Sequence, residues 1–101
     1  MAKVESVEQA VGRLMSARLP SISLSQDDEK ALKEWAIGGI VLFKENGTNS
    51  DQVIDLIDQV NNLSLHQPIL SVDQEGGAVQ RFDHFLTPIP SAMALAASSP
   101  R

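Results

Sequence analysis

Asp73, Glu75 and Arg81 lie within the run ILSVDQEGGAVQRF, Ile69 to Phe82, where an apolar, β-branched segment stops and two glycines break the chain. Carboxylates at i and i+2 can reach the separation of roughly 5 to 10 Å that glycoside hydrolysis asks of its acid pair. Distance alone does not make that chemistry. One carboxyl must protonate the leaving oxygen while the other acts from the opposite side of the sugar, and two side chains of one tight loop approach from the same side. A pairing of Asp73 with Arg81 is the more natural use. The guanidinium would hold the acid ionised, and together they would offer acceptors and a fork of donors to sugar hydroxyls. That is a holding constellation, not a bond-breaking one. Two other uses compete: acids and glycines are ordinary in a solvated turn, whereas a phosphate loop would need a Gly and Lys spacing that EGG lacks.

The elements that must position these residues are readable on either side. Ser6 followed by Gln9 has the form of a capping box, and Val7, Ala10, Val11, Leu14 and Met15 recur at helical spacing, which predicts a short helix yielding to a strand near Leu14 to Leu19. Ser25 caps QDDEKALKEWA, whose acids Asp27, Asp28 and Glu29 suit the first turn and whose Ala31, Leu32, Trp35 and Ala36 form an apolar face, with Gly38 and Gly39 ending it. Ile40 to Phe43 is a continuous apolar run, as expected of a strand buried on both faces. Asn46 and Gly47 make a turn. With Ser50 as cap, DQVIDLIDQVNN places Val53, Ile57 and Val60 on one stripe beside Ile54 and Leu56, with Asp51, Asp55, Asp58 and Gln59 towards water. A second apolar strand, ILSV, then ends at Asp73. Two such strands joined by a helix form a βαβ unit with parallel strands, so the fold class is α/β. Ligands in such folds bind beyond the carboxyl ends of the strands, which directs attention to Lys44 to Asn49 and Asp73 to Gln80.

Composition narrows the function classes. A chain of 101 residues with 43% apolar content makes one domain at most, over 1–101 with no second domain, and encloses a modest core. Thirteen acids against eight Lys and Arg give a net charge of -5 without a basic cluster, which argues against nucleic acid and anionic membranes as partners. The chain has no cysteine, so disulfides and thiol catalysis are excluded. The start MAKVESVEQA lacks the apolar core of a leader, and no apolar run approaches the span of about eighteen residues that crosses a membrane. A soluble, cytoplasmic protein is expected, with no metal and no cofactor.

Three motifs in order, GGIVLFKEN (Gly38 to Asn46), ILSVDQEGGAVQRF and TPIPSAMALA (Thr87 to Ala96), resemble the N-terminal part of the family 3 glycoside hydrolases, in particular the β-N-acetylhexosaminidase branch. The similarity reaches back to VGRLM at Val11. It implies a (β/α)8 barrel that removes terminal β-linked sugars with retention, through a glycosyl-enzyme intermediate on an aspartate. It also implies that Asp73 and Arg81 contact hydroxyls of the terminal sugar, and that Glu75, Gly76 and Gly77 support the loop. Ala78 departs from the family pattern, which commonly has a basic residue there. The family's Lys-His sugar motif, its histidine acid/base loop and its nucleophilic aspartate lie beyond position 101 in a full-length relative, so no catalytic residue is assigned in this chain. His66, in a helix-to-strand loop on the opposite edge, reads as a surface residue. His84 and Asp83, just past the motif, read as loop residues near the pocket.

A closed barrel needs about 250 residues. The expectation is therefore an incomplete barrel, the first third of a glycosidase, whose final helix AMALAASS stops at Pro100 and Arg101. The expected substrate is a small carbohydrate with terminal β-linked N-acetylglucosamine. Two alternatives stand beside it: a noncatalytic relative that binds sugar or oligomerises through its open sheet edge, and a β-glucosidase of the same family.

Overall fold

A computed structural model describes residues 5–99. The reading of the first residues as leader-free and the helix stop at Pro100 and Arg101 fall outside that range.

Helix α1 spans Val7–Gly12 and is opened by Ser6 and Gln9 as a reciprocal capping box. Strand β1, Ser16–Arg18, follows. Helix α2 runs Gln26–Glu34, with Ser25 and Asp28 forming a second capping box. Strand β2 is Gly39–Leu42, a 3-10 turn occupies Lys44–Asn46, and helix α3 covers Ser50–Leu63. Strand β3, Ile69–Val72, leads into an antiparallel hairpin of β4, Gln74–Gly76, and β5, Val79–Gln80. Helix α4, Ala92–Ser98, closes the described chain behind its cap Ser91.

Strands β1, β2 and β3 form one parallel sheet in sequential order, the α/β arrangement expected of successive βα units. The register pairs Ala17 with Ile40 and Leu70 with Ile40 from the other side, and Leu42 with Val72. Because side chains alternate along a strand, Ala17, Ile40, Leu42, Leu70 and Val72 share one face. There they pack with Leu32 of α2 and with Val53, Leu56 and Val60 of α3, and Ile40, Leu56 and Val60 are each 1% exposed. Ser16, Arg18, Val41, Ile69 and Ser71 share the opposite face, where no helix covers them among the described residues.

Several boundaries differ from the sequence reading. Helix α2 ends at Glu34, and the chain turns at Ala36, which is fully buried with φ 49°, so Gly38 and Gly39 do not end it. Gly38 serves the strand ends instead: its N–H donates to the Gly12 carbonyl and its carbonyl accepts from Ile69. Trp35, assigned to the apolar face, is half exposed because it falls on the cap after the last helical residue. The cap of α3 is Asn49, whose side chain accepts from the Gln52 N–H, and not Ser50, which is already helical. The stripe of α3 is centred on Val53, Leu56 and Val60, with Ile57 partly buried and Ile54 exposed. Burial on both faces, expected of Ile40 to Phe43, is met only on the helix side: Ile40 and Leu42 are buried, Val41 and Phe43 on the open face are partly so, and Ile69 of β3 is 76% exposed.

Candidate functional site

Residues that carry chemistry gather where the three strands end. Arg18 is the last residue of β1, Phe43 follows β2, and Asp73 follows β3. Since Leu42 pairs with Val72, Phe43 and Asp73 stand one step beyond the last rung, on the open face with Arg18.

The chain after Asp73 turns back as a hairpin, which the sequence reading treats only as a loop. Gly76 and Gly77 adopt φ of 84° and 60°, a region that side chains disfavour, and the Gly77 N–H donates to the Ile89 carbonyl. Gln80 ties the turn: its amide donates to the Gly77 carbonyl and its oxygen accepts from the Ile89 N–H. This return brings Arg81 beside Asp73. The Arg81 N–H donates to the Asp73 carbonyl at 3.3 Å, and Nη2 lies 3.7 Å from Oδ2. Both side chains remain open to solvent, at 37% and 48% exposure. Glu75 is exposed, and no hydrogen bond or ion pair reaches its carboxylate among the described residues. The turn is held by backbone and by Gln80.

The loop after β2 meets this hairpin. Asn46, which sequence reasoning takes for a turn residue, is fully buried: Oδ1 accepts from the Phe43 N–H, and Nδ2 donates to the carbonyls of Leu19 and Ser21. It joins the segment after β1 to the segment after β2. A Cβ on Gly47 would stand 2.8 Å from both the Phe82 ring and Val53, so only glycine lets the segment that follows Arg81 pack there. His84 adds a further tie. Its Nε2 lies 2.9 Å from the Gly47 carbonyl, and because a carbonyl only accepts, Nε2 carries the proton. Its Nδ1 is 3.7 Å from Asp83. His66 lies at the other end of the sheet, exposed, 3.9 Å from Glu5.

Each of the three Lys and Arg side chains at this mouth has an acid partner, and Glu75 is left without one among the described residues. Arg18 pairs with Glu45, Lys44 with Asp83 at 3.7 Å, and Arg81 with Asp73. With three cations against four acids the set does not collect anions, but it offers donors and acceptors to a neutral polyol. Among the described residues, two side-chain atoms are buried without partners, Arg81 Nε and Gln74 Nε2. Sequence reasoning singles out Asp73 and Arg81 and misses Arg18, Phe43 and Asn46. The available signal for Phe43 and Asp73 is that each stands at the carboxyl end of an apolar run, IVLF and ILSV.

Beneath the mouth, a cavity of about 190 Å³ opens between α3 and β3, lined by Leu42, Val53, Ile57, Leu70, Ser71, Val72 and Phe82. Its lining is nearly all apolar and part of the core face, so it belongs to packing. Among the described residues, no helix is long and apolar enough to cross a membrane.

Residues 6–101 match the model for the glycosyl hydrolase family 3 N-terminal domain. A β-hexosaminidase of Neisseria meningitidis serogroup C is 33% identical over 82 residues, 81% of this chain and 23% of that protein. Among solved structures, a glycoside hydrolase family 3 β-N-acetylglucosaminidase from a Paenibacillus species superposes with a TM-score of 0.87 at 32% identity, covering 96% of this chain and 19% of its own. NagZ from Neisseria gonorrhoeae, in complex with N-trifluoroacetyl-D-glucosamine, superposes with a TM-score of 0.70 at 36% identity, covering 74% of this chain and 22% of its own. The chain thus spans about a fifth to a quarter of the length of the relatives it matches.

Proposed function

The chain belongs to glycosyl hydrolase family 3, matching its N-terminal domain, and from that premise we propose that it supplies the terminal-sugar contacts of a retaining β-N-acetylhexosaminidase. In this reading Asp73 and Arg81 hold hydroxyls of a terminal β-linked N-acetylglucosamine, with Gly76, Gly77 and Gln80 shaping the turn beneath them, while the expected support from Glu75 is absent because its exposed carboxylate meets no partner among the described residues. The three parallel strands are the first part of a (β/α)8 barrel, and residues 1–101 are the N-terminal portion of that domain. The observation that carries the reading is the Asp73 and Arg81 pair, 3.7 Å apart on the open face at the carboxyl ends of parallel strands, where such folds take their ligands. The N-acetylglucosamine analogue bound by the gonococcal relative supports the sugar class.

Holding a sugar is not cleaving it. Retention needs an acid and a nucleophile on opposite sides of the anomeric carbon, and Asp73 and Glu75, at i and i+2 of one turn, approach from one side. The 101-residue chain therefore releases no chromophore from a chromogenic β-N-acetylglucosaminide when purified from a host lacking its own hexosaminidase. Turnover by that preparation, abolished by Asp73→Asn, would overturn the division between holding and cleaving.

A second reading, a noncatalytic module that oligomerises along β3, is favoured by the exposure of Ile69 and by the outer edge of β3, unpaired among the described residues. Sedimentation separates the two. A monomer at tens of micromolar removes the oligomer reading, and competition between glucose and N-acetylglucosamine separates a β-glucosidase from the hexosaminidase.

A further inference from the structure

The ring of Phe43 carries two guanidiniums. Arg18 Cζ lies 4.7 Å and Arg81 Cζ 5.5 Å from its centroid, both within the range of a cation over an aromatic face. The two cations come from opposite neighbours of β2: Arg18 from the end of β1, Arg81 from the hairpin that follows β3. Each keeps its own acid, Glu45 and Asp73 respectively. The contact of Arg81 with Asp73, at 3.7 Å, is longer than a hydrogen bond and half open to water, so it does not by itself fix the plane of the guanidinium. Arg81 Nε is closed off from solvent with no partner, which removes that edge from bonding and leaves the Nη groups for it.

We propose that Phe43 is a positioning residue for sugar binding: its ring fixes the plane of the Arg81 guanidinium so that Nη donors face the terminal sugar, with Arg18 and Glu45 holding the ring from its other neighbour strand. The inference rests on the reading of Arg81 as a sugar contact. Phe43 need not touch the sugar itself. An aliphatic residue of similar size would fill the space without attracting the cation, whereas tyrosine would keep the ring face. Arg18 acts at one remove, through the ring, so its loss matters less than loss of the ring.

The test uses the full polypeptide that the gene encodes, with N-acetylglucosamine as the probe and three readouts: its Kd, the thermal midpoint, and the Arg81 Nε–H resonance. The ring predicts a ring-current shift of that resonance in the free protein. Phe43→Leu is expected to abolish the shift and weaken binding about tenfold, the scale of a partly desolvated cation and ring contact. Phe43→Tyr is expected to restore both, and Arg18→Gln to weaken binding about threefold or less. If Arg81→Ala weakens binding while Phe43→Leu binds as the wild type does, the positioning role is overturned and the sugar reading stands. If Arg81→Ala binds as the wild type does, the sugar reading fails and takes this inference with it. Should Phe43→Leu fail to fold, the wild-type resonance decides: an Nε–H at the position of a free arginine overturns the stack.

Discussion

On one face of the β1–β3 sheet, Ile40, Leu42, Leu70 and Val72 lie against α2 and α3, around side chains 1% exposed. On the other, Arg18, Phe43, Ser71 and Asp73 stand open, with ion pairs and a ring that meets two cations. Both faces are made by alternate residues of the same strands. The difference lies in what covers them: the helix side is closed by apolar side chains of α2 and α3 and holds the fold together, while the open side keeps polar groups that can still find a ligand. Stability and binding should therefore respond to different substitutions.

The largest effect is expected on the covered face. Leu56→Ala empties a site that α3 shares with the sheet core and should cost about 2 to 5 kcal/mol in chemical denaturation, leaving the sugar affinity of the folded fraction intact. A matching loss of affinity would show that the two faces are not separable. Asp73→Ala is the converse. It removes one partner of a charged pair that would be desolvated under a sugar, and should weaken N-acetylglucosamine binding by about 2 to 4 kcal/mol. Its cost in stability should stay below about 1 kcal/mol because the pair is half exposed. Calorimetric titration beside a melt reads both.

Gly47→Ala probes the seam between the faces. The added methyl meets the Phe82 ring and Val53 at 2.8 Å, so a loss of about 1 to 3 kcal/mol is expected from overpacking, with some loss of affinity as the segment behind Arg81 moves. An unchanged melting midpoint would mean that the two loops are not packed as described. The smallest effect belongs to Asp83→Asn. The pair with Lys44 is exposed at 3.7 Å and its removal should change stability by less than about 1 kcal/mol, a difference that 0.5 M salt erases.

Local chemistry was readable in the sequence, and tertiary chemistry was not. The capping box at Ser6 and the cap at Ser25 depend only on residues three apart, and both form, Ser25 with a reciprocal bond from Asp28 that its reading as a simple cap did not include. The apolar runs at Ile40 and Ile69 mark β2 and β3, and their parallel pairing follows from the intervening helix. Asp73 and Arg81 meet because a glycine turn separates them by a short hairpin, and that too is local. What no local rule carries is which neighbour closes over a residue. Asn46 beside a glycine reads as a turn, yet it is buried because the segment after β1 supplies two carbonyls for its amide. Ala36 turns the chain at a positive φ where two glycines stand next in line, because those glycines lie at the strand ends. Phe43 reads as the last residue of a buried strand until Arg18 and Arg81 arrive from either side.

The central claim is that the open face, at Asp73 and Arg81, receives an N-acetylglucosamine unit. A titration of the isotope-labelled polypeptide with N-acetylglucosamine, followed by backbone and arginine side-chain resonances, tests it directly. The account predicts saturable shifts at Asp73, Arg81 and the Gly76 to Val79 turn, with Leu56 and Val60 unmoved. Saturable shifts confined to the α3 side, with Asp73 and Arg81 still, would contradict it.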